Sequence, residues 1–397
     1  MTRASRIRIG LFLALLTLNW VRIRLPVLGI GPLAGVERPP QLAPLTPDAW
    51  WSGDLQRSFE RWFARRLPGR EHLIRTDNQV SLTLFGQAPS GGTPLVLGRG
   101  GMIIEKAYLD EYNRPRTPPA AQRAVITRDL ARLGELLGRQ GVSLIVVIAP
   151  SKAELYPEAL PSRAVLPVRA RSRTTYELLV PELEAAGITL VDGHRLFVEE
   201  RRRSETLLFA RGGTHWNHYG AALAVQHVLA ALERRAPGRF VQIKVTGARV
   251  DDRVWSTDDD LGGLLNVWWP RPWPGPQTHP LIERVSEGRV LPRLLFVGDS
   301  FTLTCLEMLT GEALMEPGAC LYYFNRRIRF PGGDSTPLNR KEFDFQKEIK
   351  GLDAVVLVMS EINLRKAGFG FVAAAVRGLE RSAQEVGPED DDRSAVE

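Results

Sequence analysis

A serine hydroxyl attacks a carbonyl carbon readily only when a neighbouring base takes its proton, and an imidazole has the pKa for that task near neutral pH. Two short runs of this sequence supply these groups. An apolar strand, Leu294 to Val297, leads directly into Gly298, Asp299, Ser300, Phe301 and Thr302, which places Ser300 in a turn between strand and helix. Such a turn exposes the hydroxyl, glycine allows close backbone approach, and the helix N-terminus offers N–H groups to a developing oxyanion. Gly298 and Asp299 then belong to the oxyanion side of a pocket, although serine and aspartate at this place are also ordinary helix caps. The second run, Gly213 to Ala221 (GTHWNHYGA), precedes a helix carrying Leu223, Val225, Val228 and Leu229. Its His215 can point from the loop into a cleft as the base, with Trp216 and Asn217 beside it as substrate contacts. The plainer alternative is a loop histidine packed against Trp216.

Elements must hold these runs together. A helical stretch from Ala121 to Gln140, with Ile126, Leu130, Leu133 and Leu137 on one face and Gly141 at its end, leads into the apolar strand Leu144 to Ile148. A helix around Thr175 to Ala186 leads to Ile188 to Val191, and Leu294 to Val297 and Ala354 to Met359 are further apolar strands. Continuous apolar strands alternating with amphipathic helices require a mostly parallel sheet covered on both faces, so the fold class is three-layer α/β/α. Ligands of such sheets bind beyond the carboxyl ends of the strands. That rule brings in Lys152, after the strand ending at Ile148, and Glu361 and Asn363, after the strand ending at Met359. Lys152 can meet an anionic or carbonyl oxygen or stand in solvent. Glu361 and Asn363 can line the pocket or satisfy loop backbone groups.

The 397 residues, 44% hydrophobic, suffice for one large or two modest cores. The formal charge of +7 is arginine spread along the chain rather than a basic block with interleaved aromatics, which argues against nucleic acid as a partner. Cys305 and Cys320 lack metal-site spacing and read as buried thiols, with a single disulfide open in an oxidising compartment, and no cofactor or metal motif is present. Arg3, Arg6 and Arg8 precede an apolar run from Ile9 to Val21, the order of an export signal. At about 1.5 Å per residue the run is short for a bilayer, and no clean cleavage site follows, so an uncleaved anchor is the favoured reading. We therefore divide the chain into a signal or anchor segment (1–36), a proline-rich linker and helical lead-in (37–90), a main domain (91–386) and an acidic disordered tail (387–397). The lead-in's apolar residues recur at helical spacing from Trp50 to Phe85, and Thr46 before Pro47 is placed to cap its start. Within the main domain a tryptophan- and proline-rich insertion near 251–283 reads as irregular, either near the site or as a packed loop.

Together, Thr-His-Trp-Asn with a following Gly-Ala (214–221), the later Gly-Asp-Ser-Phe (298–301) and Pro-Ser-Lys-Ala (150–153) with Tyr156 and Pro157 resemble the alginate O-acetyltransferase (AlgX/AlgJ-type) SGNH hydrolase-like family. Phe59 to Arg70 and Gly98 to Tyr108 are similar to the family's lead-in. The resemblance implies an SGNH hydrolase-like (flavodoxin-like) domain, periplasmic or otherwise extracytoplasmic and held at the inner membrane. It would move acetyl groups from a membrane donor protein onto an exopolysaccharide. Ser300 and His215 match the family's nucleophile and base. Its aspartate, two residues before the histidine, corresponds to Gly213 here. Asp192, at a strand exit, is the substitute acid the sequence offers; Asp299 is nearer the serine but suits a helix cap, and a dyad without an acid is the other arrangement. An acetylesterase with the same pair, or a polysaccharide-binding protein without catalysis, are the rival readings.

Overall fold

In a computed structural model the chain is described at residue 10 and over residues 31–35, 41–66, 69–89, 94–167, 171–255, 257–270 and 272–385. The apolar opening run, part of the linker and the acidic tail fall outside these residues, and so do the anchor and disorder expected of them. Among the described residues no helix is long and apolar enough to cross a membrane.

The chain divides into two units: Met1–Leu97 with Leu261–Pro272, and Gly98–Asp260 with Trp273–Glu397. The first unit holds helices α1 (Pro47–Trp51), α2 (Asp54–Arg66) and α3 (Arg70–Phe85) and strand β1 (Leu95–Leu97). Thr46 caps α1, its hydroxyl accepting the N–H of Ala49 at 3.2 Å, with Pro47 in the first turn, where no N–H is missed. Helix α3 binds the middle of the tryptophan-rich stretch: Asn78 donates to the carbonyl of Leu265 at 2.9 Å, and Gln79 accepts the N–H groups of Trp268 and Trp269 at 3.1 and 2.9 Å. Residues 261–272 thus pack on the lead-in helices. The expectation of one insertion inside one domain is corrected, because the stretch is shared between the two units and its last part is regular strand.

The second unit begins with β2 (Ile103–Glu105), α4 (Lys106–Asn113) and α5 (Ala120–Gly138). A seven-stranded sheet follows, built from β3 (Ser143–Ala149), β4 (Leu190–Asp192), β7 (Leu294–Gly298), β8 (Gly318–Tyr322), β9 (Arg326–Phe330), β10 (Ser335–Pro337) and β11 (Ala354–Ser360) in the order β10-β9-β8-β7-β11-β3-β4. The run from β8 to β4 is parallel, and β9 and β10 add an antiparallel edge. Successive side chains of a strand point to opposite faces, and here both faces are apolar. Ile145, Val147 and Ala149 enter one core with residues of α8 (Gly193–Arg203), α9 (His218–Arg235) and α10 (Phe301–Gly311). Leu144, Val146 and Ile148 enter the other with α5, α7 (Thr175–Ala185), α11 (Phe345–Ile349) and α12 (Phe371–Glu385). This is the three-layer fold that the apolar strands require. Strands β5 (Gln242–Asp251) and β6 (Gln277–Val285) form a separate antiparallel ribbon, and α6 (Lys152–Leu155) is a single turn after β3.

Candidate active site

The strand β7 ends at Gly298, where a β-carbon would lie 2.2 Å from the carbonyl oxygen of Val358 on β11. Glycine is therefore needed for strand packing, and Gly298 is not a pocket group. Asp299 is likewise not in the pocket. It is fully buried, with one carboxylate oxygen accepting the N–H of Ser360 (2.9 Å), the hydroxyl of Ser360 (2.7 Å) and the amide of Asn363 (2.8 Å), and the other accepting the N–H of Phe301 (3.2 Å). An ionised carboxylate buried this deeply is tolerable only when its lone pairs are filled, and these donors fill them. Asp299 and Asn363 thus clamp the turn after β7 to the exit of β11. Ser300, with helical φ and ψ of −63° and −20°, opens α10 from that clamp.

Tyr323 is a site residue that the sequence reading missed. Burial, and then the charge of Asp299, push its hydroxyl up, and the neighbouring Ser300 pulls it back, which puts the phenol beside the nucleophile turn. It follows β8 in a left-handed conformation (φ +49°), with Phe324 beside it at +48°. Bulky side chains adopt this region only when their surroundings hold them there, and such strain gathers at functional sites. The N–H of Tyr323 donates to the carbonyl of Gly298 at 2.8 Å, which ties the strained corner to the nucleophile turn. Its signal in the sequence was an aromatic pair at the carboxyl end of an unrecognised strand.

The histidine loop meets α10 at its first residue. The His215 ring stands edge-on to Phe301 with ring centres 4.9 Å apart, and the indole N–H of Trp216 donates to the carbonyl of Phe301 at 3.1 Å. Trp216 is fully buried, and Asn217 caps α9 by accepting the N–H of Gly220 at 2.9 Å while donating to the carbonyl of Leu207 at 2.7 Å. Both are scaffolding rather than the substrate contacts expected of them.

The carboxylate that approaches His215 is neither of those expected. Asp192 caps α8 through the N–H of Arg195 at 3.0 Å and accepts the hydroxyl of Tyr176 at 2.8 Å, so its carboxylate is committed away from His215. Asp260 Oδ2 instead lies 2.8 Å from His215 Nδ1, an oblique approach at ion-pair distance, while its Oδ1 accepts the N–H of Thr214 at 2.7 Å. His215 Nε2 is buried and has no hydrogen-bond partner. Gly213 makes room for this arrangement: a β-carbon there would sit 2.4 Å from the carbonyl oxygen of Thr257, and one on Gly212 would sit 2.2 Å from the Asp259 carboxylate. The Thr257–Asp260 segment fills the space a side chain at 213 would occupy. Trp255 anchors that segment, with its ring centre 4.3 Å from that of His218 and its indole N–H donating to His279 at 3.2 Å. Glu105 completes the surroundings; burial and the charge of Asp260 push its carboxyl up, and His215 pulls it back.

Lys152 is buried among backbone carbonyls. Its ammonium donates to the carbonyls of Ile103 (2.9 Å), Ala210 (2.7 Å), Arg211 (2.9 Å) and Gly213 (2.7 Å), fastening the loop that leads into His215. Glu361 lines a cavity that belongs to a second cluster. There it pairs with His194 and accepts the N–H of Ser151 at 3.1 Å. Cys305 and Cys320 are buried free thiols.

A three-layer α/β/α domain with a Gly-Asp-Ser turn after a central parallel strand, met by a histidine loop, is an SGNH hydrolase-like protein. Residues 108–304 match the family described as SGNH hydrolase-like domain, acetyltransferase AlgX. The chain carries a domain of the AlgX/AlgJ-type SGNH hydrolase-like family. It is 26% identical over 334 residues to a probable alginate O-acetylase AlgJ of Pseudomonas aeruginosa, covering 79% of this chain and 76% of that protein. A probable alginate O-acetylase AlgJ of Pseudomonas syringae pv. tomato is 30% identical over 143 residues, 35% of each chain. Among solved structures, the O-acetyltransferase domain of Pseudomonas putida AlgJ aligns with a TM-score of 0.43 and 18% identity, covering 72% of this chain and 99% of that domain.

Proposed function

We propose that this protein is an extracytoplasmic O-acetyltransferase that carries an acetyl group on Ser300 and passes it to hydroxyls of an exopolysaccharide. His215 Nε2 takes the Ser300 proton as the hydroxyl oxygen attacks the acetyl carbonyl, and returns it to the leaving group of the donor. An acceptor hydroxyl then gives its proton to His215, attacks the acetyl-serine, and expels the serine oxygen, which recovers a proton from the imidazolium. Asp260 orients the ring and balances its positive charge. The Ser300 N–H and the Tyr323 hydroxyl are the donors available to the tetrahedral oxyanion.

The observation that carries this reading is the approach of Asp260 to His215 Nδ1 at 2.8 Å with Nε2 unpartnered, which supplies the carboxylate that Gly213 cannot. It also favours catalysis over a non-catalytic binding protein, whose motive was the missing acid at Gly213. Relatives named alginate O-acetylases support the choice of acetyl group and acceptor. A membrane-held donor protein completes the proposal, since the chain begins with a basic and then apolar segment.

The test is mass spectrometry of the purified chain after exposure to an activated acetyl ester. The expected result is one acetyl adduct on the wild type, absent in Ser300→Ala and His215→Ala. Chase with an oligosaccharide should move the label to sugar; release as acetate alone would make the protein an esterase, and no adduct on folded protein would refute the proposal.

A further inference from the structure

The loop that bears His215 and the segment that bears Asp260 meet a second time, behind the reacting pair. His218, three residues after His215, is the first residue of α9, whose start is fixed by the Asn217 cap. Trp255 lies five residues before Asp260, in the stretch that follows β5. Their rings stand 4.3 Å apart centre to centre, tilted by 32°.

Trp255 is tied down on its own side. Its N–H donates to the Asp258 carboxylate at 2.8 Å and its carbonyl accepts the N–H of Asp258 at 3.0 Å, which closes a turn just ahead of Asp260. The indole N–H donates to His279 Nδ1 at 3.2 Å, so the His279 proton sits on Nε2, which faces the carbonyl of Arg253 at 2.9 Å and Asp251 at 3.0 Å. The Arg253 guanidinium carbon lies 4.4 Å from the centre of the Trp255 ring.

His218 is bound differently. It is 4% exposed, and neither ring nitrogen has a hydrogen-bond partner; the Glu307 carboxylate of α10 stands 3.6 Å from Nε2, beyond a hydrogen bond. A buried polar ring without a hydrogen bond costs stability. What the ring supplies in return is a surface for the indole. Gly212 and Gly213 leave room for the acid-bearing segment but do not hold it; the bond from the Thr214 N–H to Asp260 and the contact of His218 with Trp255 do.

We propose that His218 is a positioning residue of the reaction at Ser300: it acts through Trp255, holding that segment where Asp260 reaches His215 Nδ1. The proposal rests on the acetyl-transfer reading for what the pair does, and on the ring contact for how the pair is held. One loop thus carries both the base and the surface that seats its acid.

The experiment follows acetylation of Ser300 by an activated acetyl ester in the purified full chain, for His218→Ala and His218→Phe, with Asp260 intact and with Asp260→Asn. The expected result is a rate about tenfold lower in His218→Ala, recovery in His218→Phe, which keeps a ring against Trp255, and no further loss when His218→Ala is added to Asp260→Asn. An equal loss in both backgrounds, no loss at all, or a folded His218→Phe as slow as His218→Ala would overturn the proposal. Nitrogen-15 NMR of the His215 ring gives a readout that needs no turnover. The proton should sit on Nδ1 in wild type and His218→Phe, and be shared between the two nitrogens in His218→Ala; an unchanged tautomer there would refute the positioning role. Should His218→Ala not fold, Trp255→Leu removes the other ring and is carried through the same two backgrounds, with the same pattern expected. A wild type that forms no adduct would refute the acetyl-transfer reading, and the tautomer would then decide the positioning role by itself.

Discussion

Asp260 and His215 come from distant parts of the chain, yet Asp260 Oδ2 stands 2.8 Å from His215 Nδ1 while the same carboxylate holds the N–H of Thr214. One residue thus sets both the backbone of the loop and the orientation of its imidazole. Replacing the carboxylate by an amide keeps the shape and removes the charge. Asp260→Asn should slow formation of the acetyl adduct by about 10³–10⁴-fold with unchanged thermal stability, as read by a mass-spectrometric time course. A variant that acylates at the wild-type rate would exclude Asp260 from the reaction.

Gly213→Ala tests the space behind the histidine. The new methyl would meet the carbonyl oxygen of Thr257 at 2.4 Å, so the segment that bears Asp260 must move. We expect a loss of adduct formation comparable to that of Asp260→Asn, together with about 1–3 kcal/mol of destabilisation in urea melts.

Tyr323→Phe deletes only the hydroxyl that stands beside Ser300 and that we propose as an oxyanion donor. Removal of one oxyanion donor costs about 10²–10³ in rate, so acylation should fall by that order while the melting temperature stays put. An unchanged rate would leave the strained corner with a purely structural role.

Lys152→Met should act on stability first. Its loss removes hydrogen bonds to four carbonyls around the entry to the histidine loop; those of Arg211 and Ala210 keep the backbone N–H groups of Ile103 and Gly213, and a buried acceptor left unpaired costs about 1–3 kcal/mol. Denaturant unfolding should show a loss of about 1–3 kcal/mol.

His218 makes the fold acid-sensitive. Burial first, then the charges of His279 and Arg253, push its imidazole down to about 4, and the carboxylate of Glu307, 3.6 Å away, does not offset them. The unfolded chain takes up this proton below pH 6.5 and the folded one does not, so stability present above pH 6.5 is lost as pH falls toward 4. The contribution is at most about 3 kcal/mol. His218→Gln should flatten the pH dependence of unfolding over that window; an unaltered profile would locate the acid sensitivity elsewhere.

The parallel half of the fold was legible because its strands are buried on both faces and read as unbroken apolar runs, Ser143–Ala149 and Ala354–Ser360 above all. The antiparallel edge was not: β9 reads Arg-Arg-Ile-Arg-Phe, and its arginines disguise the alternation. Ser300 and His215 were legible as candidates because each sits in a local strand-to-helix or loop-to-helix pattern. Asp260 and Tyr323 were missed because their roles depend on which segments meet in space. Asp192 was assigned as the acid and Asp299 and Asn363 to the pocket, since a strand-exit position does not reveal whether a side chain faces ligand or clamps the backbone.

The β-carbon that Gly213 lacks has a consequence for ancestry. An aspartate two residues before the histidine and a docked Thr257–Asp260 segment would compete for the same volume, so a chain can hold one or the other but not both. No gradual exchange with both acids in place is open between the two designs. A lineage passing from one to the other must go through a form with the old acid gone before the new one has docked. Related sequences should therefore sort into two groups, with glycine before the histidine accompanying an aspartate supplied from the tryptophan-rich stretch.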